Sequence, residues 1–393
     1  MQSYRRKEEG VVFRRGKFFH RLSLWQAVTL IVSGTIGAGI LALPYTVAQV
    51  GMGIGLLYLV GVGLLMMGMN LLLGEIVVRT NSPLHLPGLA EKYLGKAGRI
   101  VMSIVMYGLL GGALVVYIIG EGETLSALFG GSATFWSILF AIIGSTLIVL
   151  GTRTVKTVEL FFVMALLVII LFLVFFSVPV LEIQHLQYVN FANVFLPYGI
   201  ILFAFHGVTA VPEAHALLVN RNNVFRRAIL ISSAIVMLIY ILFTVMVVGI
   251  TGQGTTEIAT IGLGQQLGPT IFLLGNIFAL LTMGTSFLMI GVALRDSLSW
   301  DFRLSPLTTS LVVCGIPFLI FIFGIRGFTA TLDTVGGVFG SLELLAIIAI
   351  YWRARSLGDL QPKNFGLHHA YVLAVILLLA LFLGTLYSTL KLF

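Results

Sequence analysis

Hydrophobic and polar residues occur along the chain in long blocks rather than in a short alternation. The apolar runs repeatedly reach the roughly 20 residues that a helix needs to cross a bilayer core of about 30 Å. The polar connections are short, which predicts one transmembrane domain over residues 1–393 and no enzyme. We predict eleven membrane-spanning helices over residues 23–48, 53–78, 98–120, 133–151, 157–179, 193–218, 228–250, 268–294, 304–324, 328–352 and 368–390.

The two longest connections differ in character. Segment 80–97 lies between the second and third predicted helices and has the pattern of a short amphipathic piece at the membrane surface. Segment 251–267 is polar and rich in glycine, so we predict a loop there with room for one helical turn.

The lysines and arginines fall almost entirely on one side of this layout. If the N-terminus is cytoplasmic, all but two of the 23 lie in inside segments, and only Arg326 and Lys391 lie outside. Cytoplasmic loops of membrane proteins are enriched in these residues, and adding or removing one helix would invert every later loop. The distribution therefore predicts a multi-pass cell-membrane protein with a cytoplasmic N-terminal segment, 1–22, and an outside C-terminus.

The composition also favours lipid surroundings over water. The chain is 59% hydrophobic and 10% charged, whereas about 25% charged residues are usual in soluble domains. Together with the single cysteine, Cys314, this excludes a disordered chain, a disulfide scaffold and a nucleic-acid binder. Gly37-Ala-Gly39-Ile-Leu-Ala42 matches a nucleotide-binding pattern but follows no strand, so we predict no nucleotide partner.

Two predicted spans contain helix-breaking residues near the middle of the membrane. The first span contains Gly39-Ile-Leu-Ala-Leu-Pro44, and the sixth contains Gly207-Val-Thr-Ala-Val-Pro212 with the same spacing. Each proline leaves the carbonyl four residues earlier without its helical N–H partner. Unpaired backbone groups are tolerated inside a membrane where they are buried in protein or line a polar cavity.

The spacing of these two breaks indicates an inverted repeat. Spans one and six are five helices apart, so the two five-helix halves, 23–179 and 193–352, have opposite topology, and 368–390 adds an eleventh helix. Paired interrupted helices in corresponding positions are typical of transporters with a site at the bilayer midplane. We therefore predict an all-α integral membrane fold of this kind. Ordinary glycine packing and proline kinks are the alternative interpretation.

The residues of the breaks also carry a family resemblance. Gly34-Thr-Ile-Gly-Ala-Gly-Ile-Leu-Ala-Leu-Pro44 resembles the first helix of the amino acid/auxin permease family, including its bacterial aromatic amino acid permease relatives. This family lies within the amino acid–polyamine–cation superfamily. The segment Phe203-Ala-Phe-His-Gly207 resembles the break in the sixth helix of that superfamily. The resemblance implies eleven spans and amino acid transport.

The polarity of the two breaks predicts what binds there. The outer half of the first span begins after Gly39, so free N–H groups at its positive end would bind a carboxylate. The outer half of the sixth span ends near 203–206 and offers carbonyls to an ammonium group. A zwitterion fits between them. The predicted substrate-binding residues lie at these breaks: Thr35, Gly37, Ala38, Gly39, Phe203, Phe205, His206, Gly207 and Thr209.

Sodium and a proton are both candidates for the coupling ion. The sodium-dependent members of the superfamily use first-helix carbonyls and eighth-helix hydroxyls, and this resemblance implies a sodium site at Ser33, Ile36, Thr282, Thr285 and Ser286. The alternative for the hydroxyls is hydrogen bonding to their own helix. Intramembrane acids and histidines are candidates for proton coupling. These candidates are Glu213, Glu343 and His206.

We therefore predict a secondary active transporter that imports amino acids by alternating access, driven by Na⁺ or H⁺. Phe203, Phe205 and His206 favour a neutral or aromatic amino acid. The expected partners are this substrate, the coupling ion and the lipid bilayer, without a further cofactor. The alternative is a membrane receptor on the same scaffold that binds an amino acid without moving it.

Overall fold

The computed structural model describes residues 11–14, 17–20, 23–81, 84–150, 178–218, 221–302, 305–360, 365 and 370–390. An antiparallel hairpin of β1, Val11–Arg14, and β2, Lys17–His20, precedes the first helix. This hairpin is an addition to the all-α prediction, which assigned only a polar segment here. The other long elements of the described chain are helices.

Five helices lie in the described part of the first half. Helix α1 begins at a capping box, in which Ser23 Oγ accepts the Gln26 N–H and the Gln26 side chain accepts the Ser23 N–H. The helices are α1 (Leu24–Thr35), α2 (Gly39–Val50), α3 (Met52–Arg79), α4 (Leu86–Phe129) and α5 (Ala133–Leu150).

The second half begins with short 3-10 turns at Val178–Val180, Ile183–Leu186 and Phe191–Asn193. A further 3-10 turn, Gly252–Gly254, follows α8, and a π-helix, Val335–Gly340, joins α12 to α13. The helices are α6 (Pro197–Ala204), α7 (Ala210–Leu217), α8 (Asn222–Thr251), α9 (Ala259–Leu267), α10 (Pro269–Phe302), α11 (Pro306–Ile322), α12 (Phe328–Thr334), α13 (Ser341–Leu357) and α14 (Ala370–Leu390).

The number of long apolar helices is lower than the predicted number of spans. Within the described residues seven helices are long and apolar enough to cross a membrane, or eight if α1 and α2 count as one bent span. The predicted sixth span is divided into two eight-residue helices, and the ninth is 17 residues long. All but the last two residues of predicted span 157–179 lie outside the described residues. The eleven-helix count and the orientation remain predictions.

Both long connections contain helix. Segment 80–97 contains the start of α4, which continues into the third span through a kink at Gly95, where φ is 78°. Segment 251–267 contains the nine residues of α9, not a single turn. The reason is tertiary packing, since α9 lies against α10 and buries Ala259 and Leu263. Such packing overrides a glycine-rich local sequence.

The broken helices occupy the centre of the fold. Residues Ile40, Leu41 and Leu43 of α2 and Ile201 of α6 have no solvent exposure. Helix α2 packs on α6, and α8 packs on both α1 and α2. In contrast, α5 and α14 expose many large apolar side chains, as expected for surfaces in contact with lipid. The helix breaks are thus enclosed by protein.

Candidate functional site

The predicted interruption of the first span is confirmed. Helix α1 ends at Thr35, α2 begins at Gly39, and their axes are bent by 60°. Ile36 is extended, with φ −78° and ψ 110°. Within the described residues, no hydrogen bond joins the N–H groups of Gly37, Ala38 and Gly39 to a backbone carbonyl. These three donors lie at the positive end of α2, as the sequence predicted.

The sixth span is also interrupted, between Ala204 and Ala210. Some carbonyls here are already engaged, since the Phe203 carbonyl accepts the His206 N–H at 3.0 Å. The carbonyls of Phe205 and His206 accept no backbone N–H within the described chain. Of the carbonyls predicted to be free at 203–206, those of Phe205 and His206 therefore remain.

The two breaks pack directly against each other in antiparallel directions. A methyl group added to Gly34 would lie 2.8 Å from Ala210 Cβ, and one added to Gly39 would lie 2.5 Å from Ala204 Cα. At Gly207 an added methyl group would overlap the Thr35 side chain. The glycines therefore allow a backbone approach that no larger residue permits.

One tyrosine joins the two breaks. The buried hydroxyl of Tyr240, on α8, lies 2.8 Å from the Ala204 carbonyl oxygen and 3.3 Å from that of Thr35, and donates to them. In continuous helices these carbonyls would accept N–H groups four residues later. The Tyr240 ring also packs edge-on against Phe205, with centroids 4.9 Å apart. Sequence analysis missed Tyr240 because nothing local marks it in an apolar helix.

Three other predicted substrate residues, Thr35, Phe203 and Thr209, have different surroundings. The Thr35 hydroxyl donates to the Ile31 carbonyl at 2.7 Å. Phe203 is half-buried and lies against Gly336 of the π-helix. Thr209 is exposed, so the structure does not bring its side chain into the buried cluster.

The predicted sodium ligands are only partly brought together. The hydroxyls of Thr282 and Thr285 donate to the carbonyls four residues earlier, at 2.8 and 2.6 Å, which matches the alternative interpretation. Ser33 was predicted to bind through its carbonyl, and the bond from its hydroxyl to the Leu30 carbonyl does not test that prediction. Ser286 is nearer the break, because a methyl group added to Gly37 would lie 3.6 Å from its Oγ. The hydroxyl oxygens of these threonines keep lone pairs that can bind a cation, so their chemistry fits a sodium ion. Ile36 is buried at the break.

Two of the three candidates for proton coupling meet in the structure. His206 Nε2 lies 2.7 Å from Glu343 Oε2, with side chains 8% and 0% exposed. The distance is that of an ion pair, although the groups are not aligned for a directional hydrogen bond. The third candidate, Glu213, is exposed in the first turn of α7 and belongs to another region.

Sequence analysis also missed a buried acid. Glu121 is 3% exposed, and its Oε1 has no hydrogen-bond partner within the described residues. The predicted third span ended at residue 120, which placed Glu121 just outside the membrane, whereas α4 continues to Phe129. A signal was available, because Tyr117 and Glu121 are four residues apart and share a helix face.

Comparison with known proteins gives consistent results. Residues 20–387 match the tryptophan/tyrosine permease family. Tyrosine-specific transport system 1 of Haemophilus influenzae is 30% identical over 381 residues, covering 89% of this chain and 93% of that protein. Tyrosine-specific transport system 2 of the same organism is 30% identical over 393 residues, covering 90% and 95%. The crystal structure of MhsT in complex with L-phenylalanine has a TM-score of 0.69 at 15% identity, covering 93% of this chain and 98% of that one.

Proposed function

The chain belongs to the tryptophan/tyrosine permease family, and we propose from this premise that it is a secondary active transporter that imports aromatic amino acids. The family match confirms the aromatic permease part of the resemblance, whereas the amino acid/auxin permease name remains a prediction. Two relatives are named tyrosine-specific transport systems, which supports an aromatic substrate for this chain. The likeness to MhsT supports the fold alone.

The pair of packed helix breaks is the observation that carries this proposal. The unpaired N–H groups of Gly37, Ala38 and Gly39 would bind the substrate carboxylate at the positive end of α2. The carbonyls of Phe205 and His206 would accept the substrate ammonium group. A zwitterion satisfies both sets of backbone groups, whereas a neutral or singly charged solute satisfies at most one.

The coupling ion and the transport cycle are part of the same proposal. We propose that the outer and inner halves of the broken spans open alternately around the bound substrate, because short half-helices can move at their breaks. Either Na⁺ near Ser286 or H⁺ at buried acids would drive this cycle. A half-buried aromatic side chain, Phe203, would contact the substrate ring.

Uptake by the purified protein in proteoliposomes tests the proposal. We expect saturable counterflow of radiolabelled L-tyrosine that is competed by L-tryptophan and L-phenylalanine but not by D-tyrosine. An imposed Na⁺ or H⁺ gradient should drive net accumulation. Saturable binding without any flux would instead favour the receptor, and neither binding nor flux would contradict both functions.

Removal of the Tyr240 hydroxyl tests whether the joined breaks matter for transport. In Tyr240→Phe the buried carbonyls of Thr35 and Ala204 lose their donor, and such a loss costs about 1–3 kcal/mol. We therefore expect tyrosine counterflow to fall by about tenfold or more. Tyr198→Phe is the matched control, because it removes a buried hydroxyl that contacts Ser341. Equal effects of both substitutions would contradict a special role for Tyr240.

A further inference from the structure

We propose that Glu121 is the proton-binding site that couples substrate import to the proton gradient. This inference rests on the proposed function and gives it a coupling ion and a residue. It depends on the burial of Glu121 and on the position of its carboxylate beside α10. It also depends on Tyr117, which lies one helical turn before Glu121 and contacts the first break.

The carboxylate of Glu121 is buried without a compensating charge. The residue is 3% exposed, Oε1 has no hydrogen-bond partner, and no ion pair within the described residues includes it. Burial of an ionised carboxylate without a partner is costly, and such a group takes up a proton instead. Two other buried acids differ, since Glu75 pairs with Arg79 at 2.7 Å and Glu343 with His206 at 2.7 Å.

Glu121 lies one helical turn away from a residue that contacts the first break. Tyr117, one turn before it on the same face of α4, contacts Ser286, and a methyl group added to Gly37 would lie 3.4 Å from the Tyr117 hydroxyl. A methyl group added to Gly284 would lie 3.0 Å from Glu121 Oε1. The carboxyl group therefore lies against α10 at Gly284.

The groups that surround Glu121 determine whether the charge of its carboxylate is compensated. On α4 the neighbouring ionisable side chains are Tyr117 and Glu123, of which Glu123 is half-buried and lies near Glu257. Helix α10 presents Met283 and Gly284 to this part of α4. Helices α5 and α12 present Ser137 and Phe328 to the adjoining glycines. None of these neighbours carries a positive charge.

The coupling step is a simple protonation. A proton from the outside binds the Glu121 carboxylate and gives a neutral carboxyl group, which can remain buried against α10 while the broken spans close around the substrate. When the site opens to the inside, water reaches the carboxyl group, the proton leaves, and the ionised carboxylate again disfavours the closed arrangement. One proton then crosses with each substrate.

Glu121→Gln separates coupling from substrate binding. In proteoliposomes we expect this variant to retain tyrosine counterflow within about twofold of the unaltered protein. Accumulation under an inward proton gradient should fall by about tenfold or more, within the usual range of coupling factors, and its pH dependence should disappear. Glu123→Gln is the matched control, since it makes the same chemical change two residues away, and it should keep the gradient response.

Two outcomes would overturn the inference. Glu121→Gln could retain gradient-driven, pH-dependent accumulation, or the unaltered protein could respond to a sodium gradient and not to a proton gradient. Failure of the proposed function is distinct, because the unaltered protein would then show no counterflow. If Glu121→Gln does not fold, carbodiimide labelling of the unaltered protein, followed by peptide mass spectrometry, provides the test. Labelling at Glu121 should decrease as pH rises, and labelling independent of pH would contradict the inference.

Discussion

Replacement of Gly39 with alanine is expected to abolish high-affinity binding and transport of tyrosine. The added methyl group would lie 2.5 Å from Ala204 Cα and 2.7 Å from Ala204 Cβ. Because the nearest atom belongs to the backbone, no side-chain rotation relieves the overlap, and the two breaks must separate. Overpacking of this kind costs about 1–3 kcal/mol. The shift also displaces the N–H groups proposed to bind the substrate carboxylate.

The measurement is equilibrium binding of radiolabelled L-tyrosine to the detergent-purified protein, followed by counterflow. We expect the affinity to fall by at least about tenfold. Gly61→Ala is the matched control, because Gly61 also lies inside a membrane helix, α3, but an added methyl group there has no neighbour within 4 Å. The control should bind normally. Normal affinity in Gly39→Ala would contradict the assignment of the substrate site to the packed breaks.

The positions of the breaks could be predicted from sequence because their cause is local. Proline lacks an N–H, and glycine permits close backbone approach, whatever the rest of the chain does. The stretch from Gly34 to Pro44 therefore indicated an interruption without any knowledge of neighbouring helices. The prediction that Gly37 and Gly39 lie in or beside a non-helical segment is confirmed by the end of α1 and the start of α2.

The side-chain partners of the site could not be predicted in the same way, because they come from distant segments. Tyr240 is one tyrosine in an apolar helix, and its importance appears only when the Thr35 and Ala204 carbonyls converge on it. Glu121 was missed for another reason. The predicted third span ended at residue 120, because charged residues commonly mark the end of a membrane-spanning segment. Apolar length alone cannot separate a buried acid from an interfacial one.

The sodium prediction shows a third limit. Resemblance and helix periodicity placed Thr282, Thr285 and Ser286 on one face, but periodicity does not tell which acceptor a hydroxyl chooses. In the structure the two threonines donate to Phe278 and Leu281 of their own helix. The role of these residues in ion binding therefore remains a prediction, which the gradient experiments in proteoliposomes would test.

The buried pair of His206 and Glu343 is expected to give a large and strongly non-additive effect on mutation. His206→Gln leaves the buried Glu343 side chain without its partner, and the loss of a partner by a buried polar group costs about 1–3 kcal/mol or more. In Glu343→Gln no carboxylate remains, so the loss of stability should be smaller. The double variant should be more stable than His206→Gln alone, because the buried acid that lost its partner is also removed.

Thermal unfolding of the unaltered protein, the two single variants and the double variant in detergent measures the coupling between His206 and Glu343. Tyrosine counterflow shows how the loss of this pair affects transport. His185 provides the control, since its Nε2 lies 3.5 Å from Glu182 Oε2 but the two side chains are 34% and 65% exposed. Exposed pairs contribute about 0–1 kcal/mol, so His185→Gln should leave unfolding nearly unchanged. Additive effects at His206 and Glu343 would mean that the two groups do not interact. The second break would then be held near α13 by other contacts, which include the packing of Phe203 against Gly336 of the π-helix and the hydrogen bond between Tyr198 and Ser341.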